Sequence, residues 1–136
     1  MKRGLKPLAL ASELFVAFLL ASIPARAQHM NEKDSPCGNV AVTVDLFNCL
    51  SKARDSSDAK LNSLYKTLRK RLDATDGERL TVAQRLWIQY RDANCSAERK
   101  LYEGGTASSA AYLACLEAMT RARTKELAVT YAVKLK

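Results

Sequence analysis

The sequence predicts an all-α fold: an antiparallel bundle of three main helices plus a short N-terminal helix, stapled by two disulfides. Three observations carry that prediction. Apolar residues recur at three- and four-residue spacing in nearly every stretch after Thr43, and the alternation of a half-buried strand is nearly absent. Four cysteines, Cys37, Cys49, Cys95 and Cys115, fall where helices joined by short turns bring them together in pairs.

The start of the 136-residue chain decides how much of it has to fold. Lys2, Arg3 and Lys6 precede an apolar run from Leu8 to Ile23 that closes on Ala25-Arg26-Ala27, the order of a secretory signal peptide. The run is shorter than the roughly 20 residues that span a bilayer, and Glu13 interrupts it, so residues 1–27 are expected to be cleaved rather than kept as an anchor. No cysteine stands at the cleavage point to take a lipid. The expected product is soluble, periplasmic or secreted, without a transmembrane segment, and divides into a leader (28–41) and one helical domain (42–136). The formal charge of the whole chain is +8; four of the 22 basic and one of the 14 acidic residues lie in 1–27, which leaves +5 for the rest.

Each element has a local reason. Leu46, Phe47 and Leu50 suggest a short helix over 43–54, and the Asp-Ser-Ser-Asp stretch at 55–58 reads as a break followed by a fresh N-cap. A second helix is expected over 58–73, with Leu61, Leu64, Tyr65, Leu68 and Leu72 on one stripe and basic residues opposite. The turn Ala-Thr-Asp-Gly at 74–77 leads into a third helix over 78–102, in which Leu80, Ala83, Trp87, Tyr90 and Leu101 fall near one face. Gly104 and Gly105 end it. A fourth helix over 109–133 carries Tyr112, Cys115, Leu116, Met119, Arg123 and Leu127 at helical spacing.

This layout orders the cysteines. Cys95 lies about ten residues before the Gly-Gly turn and Cys115 about ten after it, and at 1.5 Å rise per residue those positions come level in an antiparallel hairpin. Cys95 is therefore expected to pair with Cys115, leaving Cys37 with Cys49 to tie a mobile leader to the first helix. An exported chain with an even cysteine count fits such pairing.

The densest stretch, AQRLWIQYRDANC at 83–95, invites a functional reading, because Trp, Tyr and Arg are enriched at binding hot spots. The register favours a structural one: Trp87 and Tyr90 fill the core, and Arg91 lies at its edge against a ring or a carboxylate. Asn62 and Thr120 sit beside apolar stripes and are read as interhelical hydrogen-bonding groups, with Arg123 bridging to Asp92 or Glu126. The only histidine, His29, precedes the domain, and no Cys-x-x-Cys occurs, so neither metal nor cofactor is expected. With no nucleophile–base pattern, an enzyme is not expected either. The basic residues are dispersed over outward positions, which suits loose attraction to an anionic envelope component such as cell-wall polymer, lipopolysaccharide or acidic lipid better than nucleic acid.

The order Leu-Asn-x-x-Tyr from Leu61, Ala-Gln-x-x-Trp-x-x-Tyr-Arg-Asp-x-x-Cys from Ala83, the Gly-Gly turn, and Cys-Leu-x-x-x-Thr-x-x-Arg from Cys115 resembles the small exported proteins of the LprI-like lysozyme-inhibitor family. The resemblance covers about residues 37–130. It implies an all-α disulfide-containing domain of the bacterial envelope, with lysozyme or another peptidoglycan-cleaving enzyme as partner. The chain departs from the lipid-anchored member that names the family by lacking a cysteine at the cleavage site. The exposed, glycine-hinged loop Glu103, Gly104, Gly105, Thr106 is the expected partner-binding element.

Overall fold

The computed structural model describes residues 29–41 and 43–136; the expected signal peptide lies outside them. Four α-helices follow a 3-10 turn at His29–Asn31: α1 (Thr43–Arg71), α2 (Ala74–Lys100), α3 (Ser108–Thr130) and α4 (Ala132–Leu135). No strand occurs among the described residues, and the all-α class stands. Both cystine pairings are as expected, Cys37–Cys49 with Cα atoms 6.0 Å apart and Cys95–Cys115 with 5.4 Å.

The elements differ from expectation in three places. The break at 55–58 is absent, and α1 runs through it as one 29-residue helix. Cap-forming side chains stop a helix only when they bond the local backbone; here Ser57 and Asp58 bond side chains on other helices, so nothing interrupts the ladder. The turn at 74–77 is instead the first turn of α2, because Asp73 takes the N-cap with an extended backbone and accepts from the Asp76 amide at 2.9 Å. The helix expected over 109–133 ends at Thr130 as α3, and the chain turns at Tyr131 into the short α4; the carbonyls of Lys134 in it and of Lys136 just after it accept from Arg71.

The α1–α2 connection is two residues long and the α2–α3 connection runs from 101 to 107, so the three long helices alternate in direction and α1 and α3 run parallel. α3 is the central element: Ala110, Ala111, Leu113, Ala114, Leu116 and Ala118 are all buried, covering more than one face. Its small residues let both neighbours approach closely, whereas α1 and α2 contact each other much less than either contacts α3. Leu50, Ala110, Leu113 and Ala114 pack with Cys37 at the leader end; Leu61, Leu68, Leu80 and Leu127 form the opposite end, with Trp87 and Tyr131 against them. Between them lie Cys95, Cys115 and Leu116.

The leader is held rather than loose. Met30 and Val40 pack on the Leu50 cluster, the His29 ring meets Glu98 at 2.6 Å, and Glu32 accepts from Arg121 at 3.1 Å. Cys37 is therefore one of several ties, and the expectation of a mobile segment pinned at one point is corrected.

Candidate functional site

Two polar clusters link the helices. In the first, Asp58 of α1 accepts from Arg91 of α2 at 3.1 Å and from the Thr120 hydroxyl of α3 at 3.4 Å, while Arg91 also donates to Thr120 at 3.1 Å and to Asp92 at 2.9 Å. Thr120 is fully buried. Arg91 and Arg123 both lie over the Trp87 ring, with guanidinium carbons 5.3 Å and 5.8 Å from its centroid. Arg123 donates to Gln84 at 3.2 Å and Glu126 at 2.8 Å. Of the two carboxylates expected for Arg123, Glu126 is the one it meets; Asp92 belongs to Arg91. A cation over an indole face gains from the ring quadrupole as well as from its hydrogen bonds, so Trp87 serves as a platform for two arginines.

This cluster floors a groove of about 350 Å³ between α1 and α2, walled by Leu61, Asn62, Tyr65, Thr81, Arg85 and Ile88. The groove follows from the packing: where α1 and α2 diverge, only side chains fill the gap. Tyr65 closes one end by hydrogen bonding Thr81 at 2.9 Å. Asn62 is exposed on this wall and is not an interhelical anchor. Tyr90, expected in the core, is 62% exposed. Trp87 and Arg91 take the inner face of α2, and Tyr90 falls off it with Val82 and Leu86 on the outer side.

The second cluster is absent from the sequence expectations. Glu117 is buried in the middle of α3, accepting from Ser57 at 3.0 Å and from Arg121 Nε at 3.1 Å, and Arg121 reaches on to Glu32 of the leader. Burial works against the Arg121 charge, and the Glu117 and Glu32 carboxylates together outweigh it, holding the guanidinium more firmly protonated than usual. One sequence signal points to it: Glu117 is the only charged residue between Ser108 and Thr120, and an isolated acid in an apolar helix needs a buried partner.

The donor atoms of His29, Glu98 and Cys115 lie within 4.8 Å of one another, which is metal-like spacing. The Cys115 sulfur is bonded to Cys95 and offers no thiolate, so His29 and Glu98 act as a tether for the leader.

A family model described as Lysozyme inhibitor LprI matches residues 35–127. The chain belongs to the LprI family. An uncharacterized protein of Rhizobium meliloti (strain 1021) is 31% identical over 122 residues, covering 80% of this chain and 86% of the relative. No solved structure matches.

The span matched to the LprI family contains both disulfides, the Trp87 platform and, of the second cluster, Ser57, Glu117 and Arg121 but not Glu32. It excludes His29 and α4. Within the LprI domain, Glu103 to Thr106 forms an exposed connector between α2 and α3, and Gly104 adopts φ +83°, a left-handed conformation with nothing within 4 Å of where a Cβ would stand. Cys95–Cys115 clamps the helices on either side of it.

Proposed function

We propose that the protein is an exported, non-catalytic inhibitor that binds a lysozyme-type, peptidoglycan-cleaving enzyme. The match to the lysozyme-inhibitor family over residues 35–127 carries this reading. The form of the molecule agrees with it. Both polar clusters spend their hydrogen bonds on joining helices, which gives a rigid body, and a rigid binder loses little freedom on association. Two disulfides suit an oxidising compartment. The Glu103–Thr106 connector is the proposed contact: it is exposed, it projects from a clamped hairpin, and its shape is set by Gly104 rather than by packing. The reading is tested by lysis of bacterial cell walls, followed as loss of turbidity, with lysozymes of several types. The purified protein is expected to slow lysis by at least one of them in proportion to its concentration. Unchanged lysis at excess protein for every type refutes it.

A further inference from the structure

A second groove, on the opposite side of α1, has a different chemistry. Its volume is about 370 Å³, within the range of small-molecule sites, and it has three walls: α1 through Ala53, Ser57 and Lys60, α3 through Arg121, Lys125 and Ala128, and the leader through Asp34 and Pro36. The floor is mostly apolar and made of small side chains. The buried Glu117, which also lines it, does not repel an anion, because Ser57 and Arg121 already satisfy and neutralise its carboxylate.

Charge is arranged along the groove rather than spread over it. The leader end holds Asp34 beside Pro36. The far end holds Lys60, one turn beyond Ser56 and Ser57, and Lys125, one turn beyond Arg121. Since α1 and α3 run parallel, those two lysines lie on opposite walls toward the end away from the leader, with Ala128 the one lining residue beyond them on α3. Both are exposed, and neither takes part in an ion pair among the described residues, whereas Arg121 is committed to Glu117 and Glu32. A pair of uncommitted ammonium groups at one end of a small-residue trough is complementary to one anionic head on one short apolar chain.

We infer that this groove binds a monomeric amphiphilic carboxylate, its acid group between Lys60 and Lys125 and its aliphatic part toward the leader, along Ala53 and Pro36. This site is separate from the proposed enzyme contact and does not depend on it. The leader forms one wall, so the Cys37–Cys49 link and the Arg121–Glu32 pair shape the site by holding Pro36 in place.

The test is a titration of the isotope-labelled protein with decanoate below its micelle concentration, followed by amide chemical shifts. Acetate serves as the head-only control and octyl glucoside as the uncharged amphiphile. Saturable shifts centred on Ala53, Lys60 and Lys125 are expected, with a dissociation constant below about 1 mM. Both controls are expected to bind about tenfold more weakly or worse. Two variants separate the contributions: Lys60→Glu with Lys125→Glu reverses the charged end, and Ala53→Leu fills the trough on the leader side while leaving the charges. Each is expected to weaken decanoate by about tenfold while keeping the wild-type helical spectrum. Absent saturation, shifts mapping elsewhere, octyl glucoside binding as well as decanoate, or wild-type affinity in either variant overturns the assignment.

Discussion

Replacing Arg91 by Met removes the guanidinium that joins all three long helices while keeping much of the aliphatic stem. Arg91 is 15% exposed and donates to Asp58, which is 30% exposed, to Asp92, which is 49% exposed, and to the buried Thr120. The Asp92 contact is open to water and is worth at most a few tenths of a kcal/mol, as exposed pairs generally are. The Asp58 and Thr120 contacts are shielded, and charge-assisted hydrogen bonds in such settings contribute about 1.5 kcal/mol or more together. Loss of the cation over Trp87 adds about 0.5–1 kcal/mol. Thr120 is not orphaned, because its hydroxyl still donates to Asp58. The expected cost is therefore about 2–3 kcal/mol, below the 3–5 kcal/mol typical of breaking a fully buried pair. Asp58→Asn keeps the shape and is expected to cost about 1–2 kcal/mol, less than Arg91→Met because Asn still accepts. In a double-mutant cycle the two changes should couple by about 1 kcal/mol. Urea unfolding with intact disulfides, followed by helical circular dichroism and by the fluorescence of the single tryptophan, measures all four corners. Additivity within about 0.3 kcal/mol refutes the view that Asp58 and Arg91 act as one junction.

Three further outcomes are expected. Replacing Cys95 and Cys115 together by Ala opens a loop with a separation of 20 residues and, by chain entropy, lowers stability by about 3 kcal/mol; thermal unfolding should show a lower midpoint than wild type, and an unchanged midpoint contradicts that account. Tyr90→Ser should change stability by less than about 0.5 kcal/mol, whereas Leu68→Ala, at a fully buried position, should cost about 2–5 kcal/mol; equal effects would return Tyr90 to the core. The Asp76 amide holds the Asp73 carboxyl below its ordinary 3.8, so its stabilisation is present above that value and fades as pH falls through the lowered folded-state value; the advantage of wild type over Asp73→Asn in urea midpoint should therefore shrink on acidification.

Legibility follows the kind of interaction involved. Helix identity comes from local spacing and the Cys95–Cys115 pair from rise per residue, which any antiparallel hairpin obeys, while Cys37–Cys49 follows as the pair that remains. The expected break at 55–58 fails because the same side chains that cap a helix also make tertiary hydrogen bonds, and composition does not distinguish the two uses of Ser57 and Asp58. Tyr90 leaves the core because a three-residue step from Trp87 steps off the α2 stripe on a helix that buries a narrow face; the partner of that face, α3, is not visible in the periodicity of α2 itself. The Trp87 cluster is half visible: Arg91 and Arg123 stand out as cations at an apolar edge, but their partners Asp58 and Gln84 lie tens of residues away. Glu117 carries the plainest signal of all, a solitary acid in an apolar helix, yet its partners Ser57 and Arg121 look like ordinary surface residues until α1 is placed against α3.

The two clusters also explain why the bundle leaves grooves at all. α3 is lined with alanines and can sit close to both neighbours, so it fixes the distances α1–α3 and α2–α3, while the α1–α2 distance is left as a remainder. Asp58–Arg91 spans that remainder with long side chains, and the space above them becomes the 350 Å³ groove. On the other side, Ser57–Glu117 pins α1 to α3 directly, and the small residues that allow this approach leave the trough that the leader then walls in. Enlarging Ser57 to Leu should therefore act on two levels. It leaves the Glu117 carboxylate with one partner fewer, costing about 1–3 kcal/mol, and it pushes α1 away from α3 at the level of Asp58, lengthening the Asp58–Thr120 contact. If the helices are positioned independently, the Trp87 environment will be unchanged; if they are positioned through these polar clusters, its fluorescence will shift although Trp87 lies on a different helix from the substitution.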